Sequence, residues 1–105
     1  MKRKSWRYLL VRILSDEKLS KDGLKSAISY NIRNLFGEQG LIESWPHILF
    51  FNEKSNEAII RCNRSSLNKI RASLALMTKI DNKAVAVFVI MVSGTIKSLK
   101  KFQTE

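Results

Sequence analysis

The chain has 105 residues, which predicts one domain over residues 1–105: a basic arm at 1–5 and an α/β sandwich at 6–102. With 45% hydrophobic and 27% charged residues it is predicted to be globular, and its single Cys62 excludes an internal disulfide. Nineteen Lys and Arg against nine Asp and Glu give a net charge of +10, which predicts a polyanionic partner, nucleic acid first and an anionic membrane surface second.

The sequence predicts neither a membrane span nor a signal peptide. No apolar run approaches the roughly 20 residues that a spanning helix requires. The charged first residues lead into a strand-like run with Arg12 inside it, and no small-residue cleavage site follows. One cysteine is typical of a reducing compartment, so the expected location is the cytoplasm, or the nucleus if the source is a nucleated cell.

The first half of the chain predicts a strand followed by a helix. Residues 6–14 (WRYLLVRIL) are rich in aromatic and aliphatic side chains and predict the first strand. A helix is predicted from Leu24 to Phe36, capped by Ser20 or Asp22, ended by Gly37 and followed by a loop over 37–40. The predicted inner stripe of this helix consists of Leu24, Ala27, Ile28, Asn31, Ile32 and Leu35.

The second half predicts a hairpin, a helix and a long strand. Strands are expected at 48–52 and 57–62, joined by the turn 53–56. Ser65 or Ser66 is expected to cap a second helix, which buries a stripe at helical spacing: Leu67, Ile70, Leu74 and Met77. After a turn at 81–82, residues 84–92 lack charge, Pro and Gly and predict a strand, followed by a turn at 93–95 and a short basic helix.

The order β-α-β-β-α-β with an extra C-terminal helix predicts an α+β, ferredoxin-like fold with a four-stranded antiparallel sheet. In this fold the last strand lies at an edge and one sheet face is bare. Strict alternation would place 84, 86, 88, 90 and 92 on one face and 85, 87, 89 and 91 on the other, and both sets are apolar. The C-terminal helix, a second copy of the chain or another protein must therefore cover the strand.

Few residues favour catalysis by this chain alone. His47 is the only histidine and Cys62 the only cysteine, so neither a His-based triad nor a zinc site is predicted. No glycine-rich phosphate loop is present. We predict no catalytic residue, no metal ligand and no cofactor in the protein.

Three basic groups are the candidate RNA contacts, each with a plainer alternative. The N-terminal group interleaves with Trp6 and Tyr8, and the alternative is a solvated terminus. The second group brackets Cys62 at the start of the second helix, where exposed N–H groups also attract phosphate, and the alternative is a pair of surface arginines. The third group follows the turn at 93–95, and the alternative is a solvated lysine face. The third strand lacks the aromatic pattern of a common RNA-recognition motif, so base stacking on the open sheet is not expected. The candidates are Lys2, Arg3, Lys4 and Arg7; Arg61 and Arg64; and Lys97, Lys100 and Lys101.

Four segments carry a resemblance to a known family. They are 35–41 (LFGEQGL), 59–64 (IIRCNR), 72–76 (ASLAL) and 92–97 (VSGTIK). In this spacing they resemble the Pop-five family of ribonuclease P proteins, called protein component two in archaea, and the similarity runs from residue 7 to about residue 101.

The resemblance implies a noncatalytic subunit of the RNA-based endonuclease that removes 5′ leaders from precursor tRNA. The implied partners are the ribonuclease P RNA, a barrel-fold component-three subunit of the Rpp-thirty type, a second copy of the chain and, indirectly, precursor tRNA, with magnesium in the active site of the RNA. Family members bury hydrophobic sheet surface against protein partners, which implies a protein interface at Val85, Val87, Val89 and Met91. By match of motif, Arg61, Arg64, Lys97 and Lys100 are the implied RNA contacts.

Two departures limit what is carried over. Asn63 stands where the family has His, so a role that needs an imidazole does not transfer, and the lead before residue 6 is short. Two other functions stay open: a ferredoxin-like protein-interaction module of another RNA–protein complex, whose charge only keeps it soluble, and an independent nuclease. Steep salt dependence of binding would indicate phosphate contacts and argue against the interaction module, and cleavage by the protein alone would indicate the nuclease.

Overall fold

The computed structural model of the chain describes residues 5–100. Its elements, in chain order, are β1 (Trp6–Leu14), α1 (Lys21–Ser44), β2 (His47–Asn52), β3 (Glu57–Asn63), a 3₁₀ turn (Arg64–Ser66), α2 (Leu67–Ala75), β4 (Lys79–Ile80), β5 (Lys83–Ala84), β6 (Ala86–Ser93) and α3 (Ile96–Lys100). Four strands form an antiparallel sheet in the order β2-β3-β1-β6. The predicted ferredoxin-like topology is confirmed.

The main core lies between one face of the sheet and the helices α1 and α2. β1 and β3 occupy the centre of the sheet, and their side chains on this face are almost fully buried against the two helices. Burying each such aliphatic side chain contributes roughly 1.5–3 kcal/mol. The core includes Leu9, Val11, Ile13, Ala58, Ile60, Leu24, Ile28, Ile32, Ile70, Leu74 and Met77.

The first helix begins as predicted but continues past its predicted end. Ser20 Oγ accepts a hydrogen bond from the N–H of Gly23 at 3.0 Å, which is an N-cap. Gly37 breaks the helix with φ 75° and ψ 179°, as its position predicted, but helical structure resumes as far as Ser44, so the predicted loop at 37–40 is wrong. Gly40 permits the close approach of this second segment, because a Cβ there would lie 2.5 Å from the Cβ of Phe36.

One member of the predicted inner stripe of α1 is wrong. Leu35 is 43% exposed, because it precedes the break at Gly37 and the helix changes course there. Asn31 does lie between the two helices, where its Nδ2 donates to the backbone oxygen of Ser73 at 3.3 Å.

The predicted cap of the second helix is also corrected. Ser66 occupies the N-cap position of α2 without a side-chain hydrogen bond to cap it. The side-chain cap lies instead on the preceding 3₁₀ turn, where Asn63 Oδ1 accepts a hydrogen bond from the N–H of Ser65 at 3.4 Å. The predicted stripe holds for Ile70, Leu74 and Met77, which are buried, while Leu67 is half-buried.

The long last strand is divided. Asp81 and Asn82 form the predicted turn with φ of 51° and 64°, but they close a small β4–β5 hairpin. The N–H of Val85 then donates to the oxygen of Thr78 at 2.9 Å, and β6 starts only at Ala86, at the sheet edge beside β1.

A register shift in β6 changes which residues share a face. Leu10 pairs with Met91 and Val11 with Val89, so Ile90 is an extra residue in the strand. The predicted grouping by alternation is therefore wrong. Val85, Val87 and Val89 pack against the main core, whereas Met91 packs on the opposite face of the sheet.

The opposite face is covered at its centre by α3. Leu99 is fully buried against Leu10 and Ile59, with Ile96 and Met91 beside them. Of the three predicted covers for the apolar strand, the C-terminal helix is therefore the one that the structure contains. Around this centre several apolar side chains remain exposed, namely Leu14, Phe50, Phe88 and Ile90. No helix in residues 5–100 combines the length and apolar composition that would let it cross a membrane.

Candidate nucleic-acid interface

Four of the predicted RNA contacts lie at one end of the sheet. β1 is antiparallel to both β3 and β6, so the start of β1 meets the ends of the other two strands. This arrangement brings Arg7, Arg61, Arg64 and Lys97 to the same end of the fold, which we call the basic end. Lys2, Arg3, Lys4 and Lys101 lie outside the described residues, as does the side chain of Lys100.

Arg7 ties the start of β1 to the turn that follows β6. Its Nη1 donates to the backbone oxygen of Trp6 at 2.9 Å, and a Cβ placed on Gly94 would lie 3.5 Å from that nitrogen. In the register Arg7 lies opposite Cys62. Burial raises the pKa of the Cys62 thiol to about 11, and the charge of Arg7 acts in the opposite direction.

The two predicted phosphate-binding turns already use some of their own N–H groups. The N–H of Thr95 donates to Ser93 Oγ at 3.1 Å. At the other turn the N–H of Arg64 donates to the oxygen of Ser5 at 2.9 Å, and that of Ser65 is bound by Asn63. Cationic side chains are thus better candidates for phosphate contact than these backbone groups. Those of Arg64 and Lys97 are exposed.

Arg61 belongs to a cluster with two tryptophans, of which only Trp6 was expected near the cations. Its guanidinium carbon lies 4.3 Å above the centre of the Trp6 ring, which is cation–π geometry. The Trp6 ring in turn meets Trp45 edge to face, with 5.8 Å between centroids and 73° between planes. We call these three residues the aromatic corner. The Nε of Arg61 is buried and finds no hydrogen-bond partner among residues 5–100, while the guanidinium stacks on Trp6.

Trp45 reaches the corner through an uncommon backbone conformation. It follows α1 with φ 47° and ψ 58°, in the left-handed region, and its N–H donates to the oxygen of Leu41 at 3.2 Å. Half of its surface is exposed, 51%. Trp6 was expected beside the N-terminal cations, whereas Trp45, from the α1–β2 junction, was not among the predicted contacts. The adjacent Trp-Pro-His, after a helix and before an edge strand, was the available signal.

Away from the basic end, the cation Arg12 is paired with an acidic side chain. Arg12 donates two hydrogen bonds to Glu57 Oε2, from Nη2 at 2.7 Å and from Nε at 3.1 Å, and Glu57 is fully buried. Arg7 and Arg12 lie on opposite faces of β1, because an odd number of positions separates them along the strand. Among residues 5–100, no three His, Cys, Asp or Glu side chains lie together in a way that would hold a metal ion.

Comparison with known proteins places this arrangement in a family. The model of the Rpp14/Pop5 family matches residues 7–104. The chain is 37% identical to ribonuclease P protein component 2 of Methanobrevibacter smithii, with 95% of this chain and 89% of that protein covered. Identity to the proteins of the same name is 35% in Pyrococcus abyssi (90% and 80% covered) and 34% in Archaeoglobus fulgidus (90% and 84% covered).

A solved structure shares the fold. A chain in the cryo-EM structure of yeast ribonuclease MRP is similar with a TM-score of 0.69 over 97% of this chain and 91% of that one. The identity is 15%, so this likeness concerns the fold alone.

Proposed function

The chain belongs to the Rpp14/Pop5 family, and on that premise we propose that it is a noncatalytic protein subunit of ribonuclease P. In this role it binds the ribonuclease P RNA and supports removal of the 5′ leader from precursor tRNA, which it meets only through the complex. The chemistry and its magnesium ions belong to the RNA. We place this activity in the cytoplasm, or in the nucleus of a nucleated cell.

The observation that carries the proposal is the convergence of Arg7, Arg61, Arg64 and Lys97 at the basic end. A net charge of +10 on 105 residues attracts a polyanion without specificity, whereas cations carried at the ends of paired strands are presented in a set geometry. Arg61 is stacked on Trp6 and Arg7 is anchored on the backbone, so little side-chain freedom is lost when phosphates bind.

The proposed mechanism is electrostatic. Folded RNA brings phosphates close together, and divalent cations usually relieve their repulsion. Protein cations at the basic end would relieve part of it, so the catalytic RNA would need less magnesium to hold its active fold. The contribution should fall steeply with salt, because each phosphate contact releases counterions.

The experiment is reconstitution of precursor tRNA cleavage with the RNA, the partner proteins and a double variant, Arg61→Ala with Arg64→Ala. At limiting magnesium this variant should cleave at least tenfold more slowly, and raising magnesium should restore the rate. Failure of magnesium to restore the rate would contradict the screening mechanism.

A matched control is available at the opposite end of the sheet. Lys18 and Lys54 are exposed there, beside the β2–β3 turn, and the Lys18 ammonium makes a long contact of 3.8 Å with Glu53. Replacing both by Ala removes the same charge as the arginine variant. If the two double variants lose activity equally, net charge and not the basic end explains the effect.

A second surface favours a protein partner. The apolar residues Phe88 and Ile90 are 50% and 42% exposed on the edge strand, and Leu14 and Phe50 extend the patch across the face that α3 leaves uncovered. We propose that the barrel-fold component-three subunit binds here. This replaces the interface inferred from Val85, Val87 and Val89, because those residues pack against the chain's own core.

The docking proposal has its own test. Phe88→Glu should abolish co-purification with the barrel-fold subunit, while Tyr30→Glu, on an even more exposed aromatic of α1, should leave it intact. Loss of self-association in Phe88→Glu, with capture of the barrel-fold subunit unchanged, would assign the patch to a second copy of the chain.

A further inference from the structure

We propose that an unpaired nucleotide of single-stranded RNA binds in the groove between α1 and β2, with its base against Trp45 and its backbone phosphate against Lys21, Lys25 and His47. This inference rests on the proposed RNA-binding function and adds to it a site that recognises a base. It concerns the side of the fold that adjoins the basic end, and neither lysine is among the RNA contacts expected from motif or composition.

Two adjoining hollows form the groove. One, of about 420 Å³, is bounded by Leu41, Ile42, Trp45, Pro46 and Ser29 and is mainly apolar. The other, of about 240 Å³, shares Pro46 and Ser29 with the first, so the two adjoin each other.

The second hollow has the charge that a phosphate requires. Lys21 and Lys25 from the first turns of α1 line it, and so does His47 from the start of β2. One acidic side chain, Asp22, lies among them. The two lysines outnumber the one carboxylate, so an anion is favoured over a cation at this point of the groove.

Trp45 is held in place for stacking. Its backbone is fixed by the left-handed conformation and the hydrogen bond to Leu41, and its ring is braced edge-on by Trp6, which carries Arg61 on one face. Immobilising an already ordered indole costs little conformational entropy on binding. Half of the residue's surface is nevertheless open.

A nucleotide fits this combination better than an apolar peptide side chain. Every base has a flat π-face that stacks on an aromatic ring regardless of sequence, and its phosphate follows within one nucleotide. In the groove, the apolar hollow lies next to the cationic hollow, as the base lies next to the phosphate in a nucleotide. Because a paired base is already stacked in its helix, the target must be an unpaired residue in a loop, a bulge or a single strand.

The chain supplies its own reporter for the test. It has two tryptophans, Trp6 and Trp45, both in the aromatic corner. In the full chain carrying Trp6→Phe, emission comes from Trp45 alone. A short oligouridylate should quench this emission on binding, whereas a ribose-phosphate chain of the same length without bases should bind without quenching it.

Affinity gives the second readout. Trp45→Leu keeps apolar volume but removes the π-face, and it should bind oligouridylate about tenfold more weakly while binding the abasic chain unchanged. Tyr30→Leu is the matched control, since Tyr30 is an exposed aromatic on another part of α1. Circular dichroism spectra and urea midpoints of each variant confirm that loss of binding is not loss of fold.

The phosphate half of the groove is tested by charge. Lys25→Ala should weaken the binding of both probes and reduce the slope of log affinity against log salt by about 0.7, the loss of one contact to single-stranded RNA. Lys79→Ala removes an exposed cation outside the groove and should change neither slope nor affinity.

Three results would overturn the inference. They are binding of oligouridylate without quenching, equal weakening of both probes by Trp45→Leu, and binding of neither probe. If the arginine double variant still lowers reconstituted cleavage while Trp45→Leu is neutral, the base site falls and the ribonuclease P function stands. If neither the arginine double variant nor Trp45→Leu changes RNA binding or cleavage, the base site and the ribonuclease P function are both refuted.

Discussion

Replacing Leu99 by Ala should release α3 from the sheet. Leu99 is fully buried and packs against Leu10 and Ile59, which are fully buried as well. α3 spans Ile96–Lys100, five residues, and a helix of that length has no stability of its own in water. Its attachment therefore depends on a few apolar side chains, of which Leu99 is the most buried.

The expected magnitude follows from the size of the deletion. Truncating a buried leucine costs about 2–5 kcal/mol when the surroundings cannot collapse. Here the helix can detach instead, so the loss of global stability is limited to the free energy of docking. We expect about 2–3 kcal/mol, in the lower part of the range for a buried leucine.

Two measurements separate local from global effects. Urea unfolding followed by circular dichroism gives the change in free energy of unfolding, and hydrogen exchange gives the opening of the α3 amides. In Leu99→Ala these amides should exchange at close to the unprotected rate while those of β1 and β3 stay protected. Ser98→Ala, on the exposed side of the same helix, should cost less than about 1 kcal/mol.

The reasoning would be refuted by a loss below about 1 kcal/mol together with unchanged protection of α3. That result would mean that other contacts attach the helix. The same variant also reports on function, because Lys97 is carried by α3. Its RNA affinity should fall although no charge has been removed.

Three further predictions concern stability. Gly37→Ala should lower the free energy of unfolding by about 1–3 kcal/mol, because φ 75° with ψ 179° suits glycine almost alone; an unchanged urea midpoint would argue against the break in α1. Asn82→Gly should raise the melting temperature by a few degrees, because the β4–β5 turn needs positive φ at both central residues; a lower melting temperature would contradict the turn geometry. Cys62 should alkylate far more slowly in the folded protein than in urea at pH 9, and equal rates would show the thiol to be accessible. Its folded pKa of about 11 exceeds the ordinary 9.0, so the folded state holds the proton longer, and stability should fall between pH 9 and pH 11 more steeply than in Cys62→Ala.

The elements that local signals define were predictable from the sequence. The apolar run at 6–14 is β1 to the residue, and the break at Gly37 was read from a glycine after an amphipathic stripe. Turn chemistry at Asp81 and Asn82 was equally informative, because these side chains tolerate positive φ. The order of these elements then fixed the topology, since few arrangements of β-α-β-β-α-β bury both helices.

Features that depend on tertiary contacts were not predictable. Alternation assigns faces only while the register is unbroken, and one extra residue, Ile90, moves Met91 to the other face from Val89. Nothing in an all-apolar run marks the position of such a bulge. The helical segment after Gly37 was not predicted, because a second glycine at position 40 is typical of a loop. Its role here is a tertiary one: it leaves room for Phe36, whose Cβ a side chain at position 40 would meet.

The division of the surface follows from the path of β1. Its first residues, Trp6 and Arg7, join the aromatic corner and the basic end, whereas Arg12 lies beside the buried Glu57 and Leu14 extends the exposed apolar patch. Arg61 lies opposite Tyr8 and Phe88 lies opposite Arg12, so the two positions are four residues, or about 14 Å, apart along β1, which is nearly two Debye lengths at physiological salt. A charge change at one position is therefore largely screened at the other, so variants of Arg61 and of Phe88 should separate RNA binding from protein binding. Loss of both on a single substitution at either end would mean that the two partners bind cooperatively and not through separate surfaces.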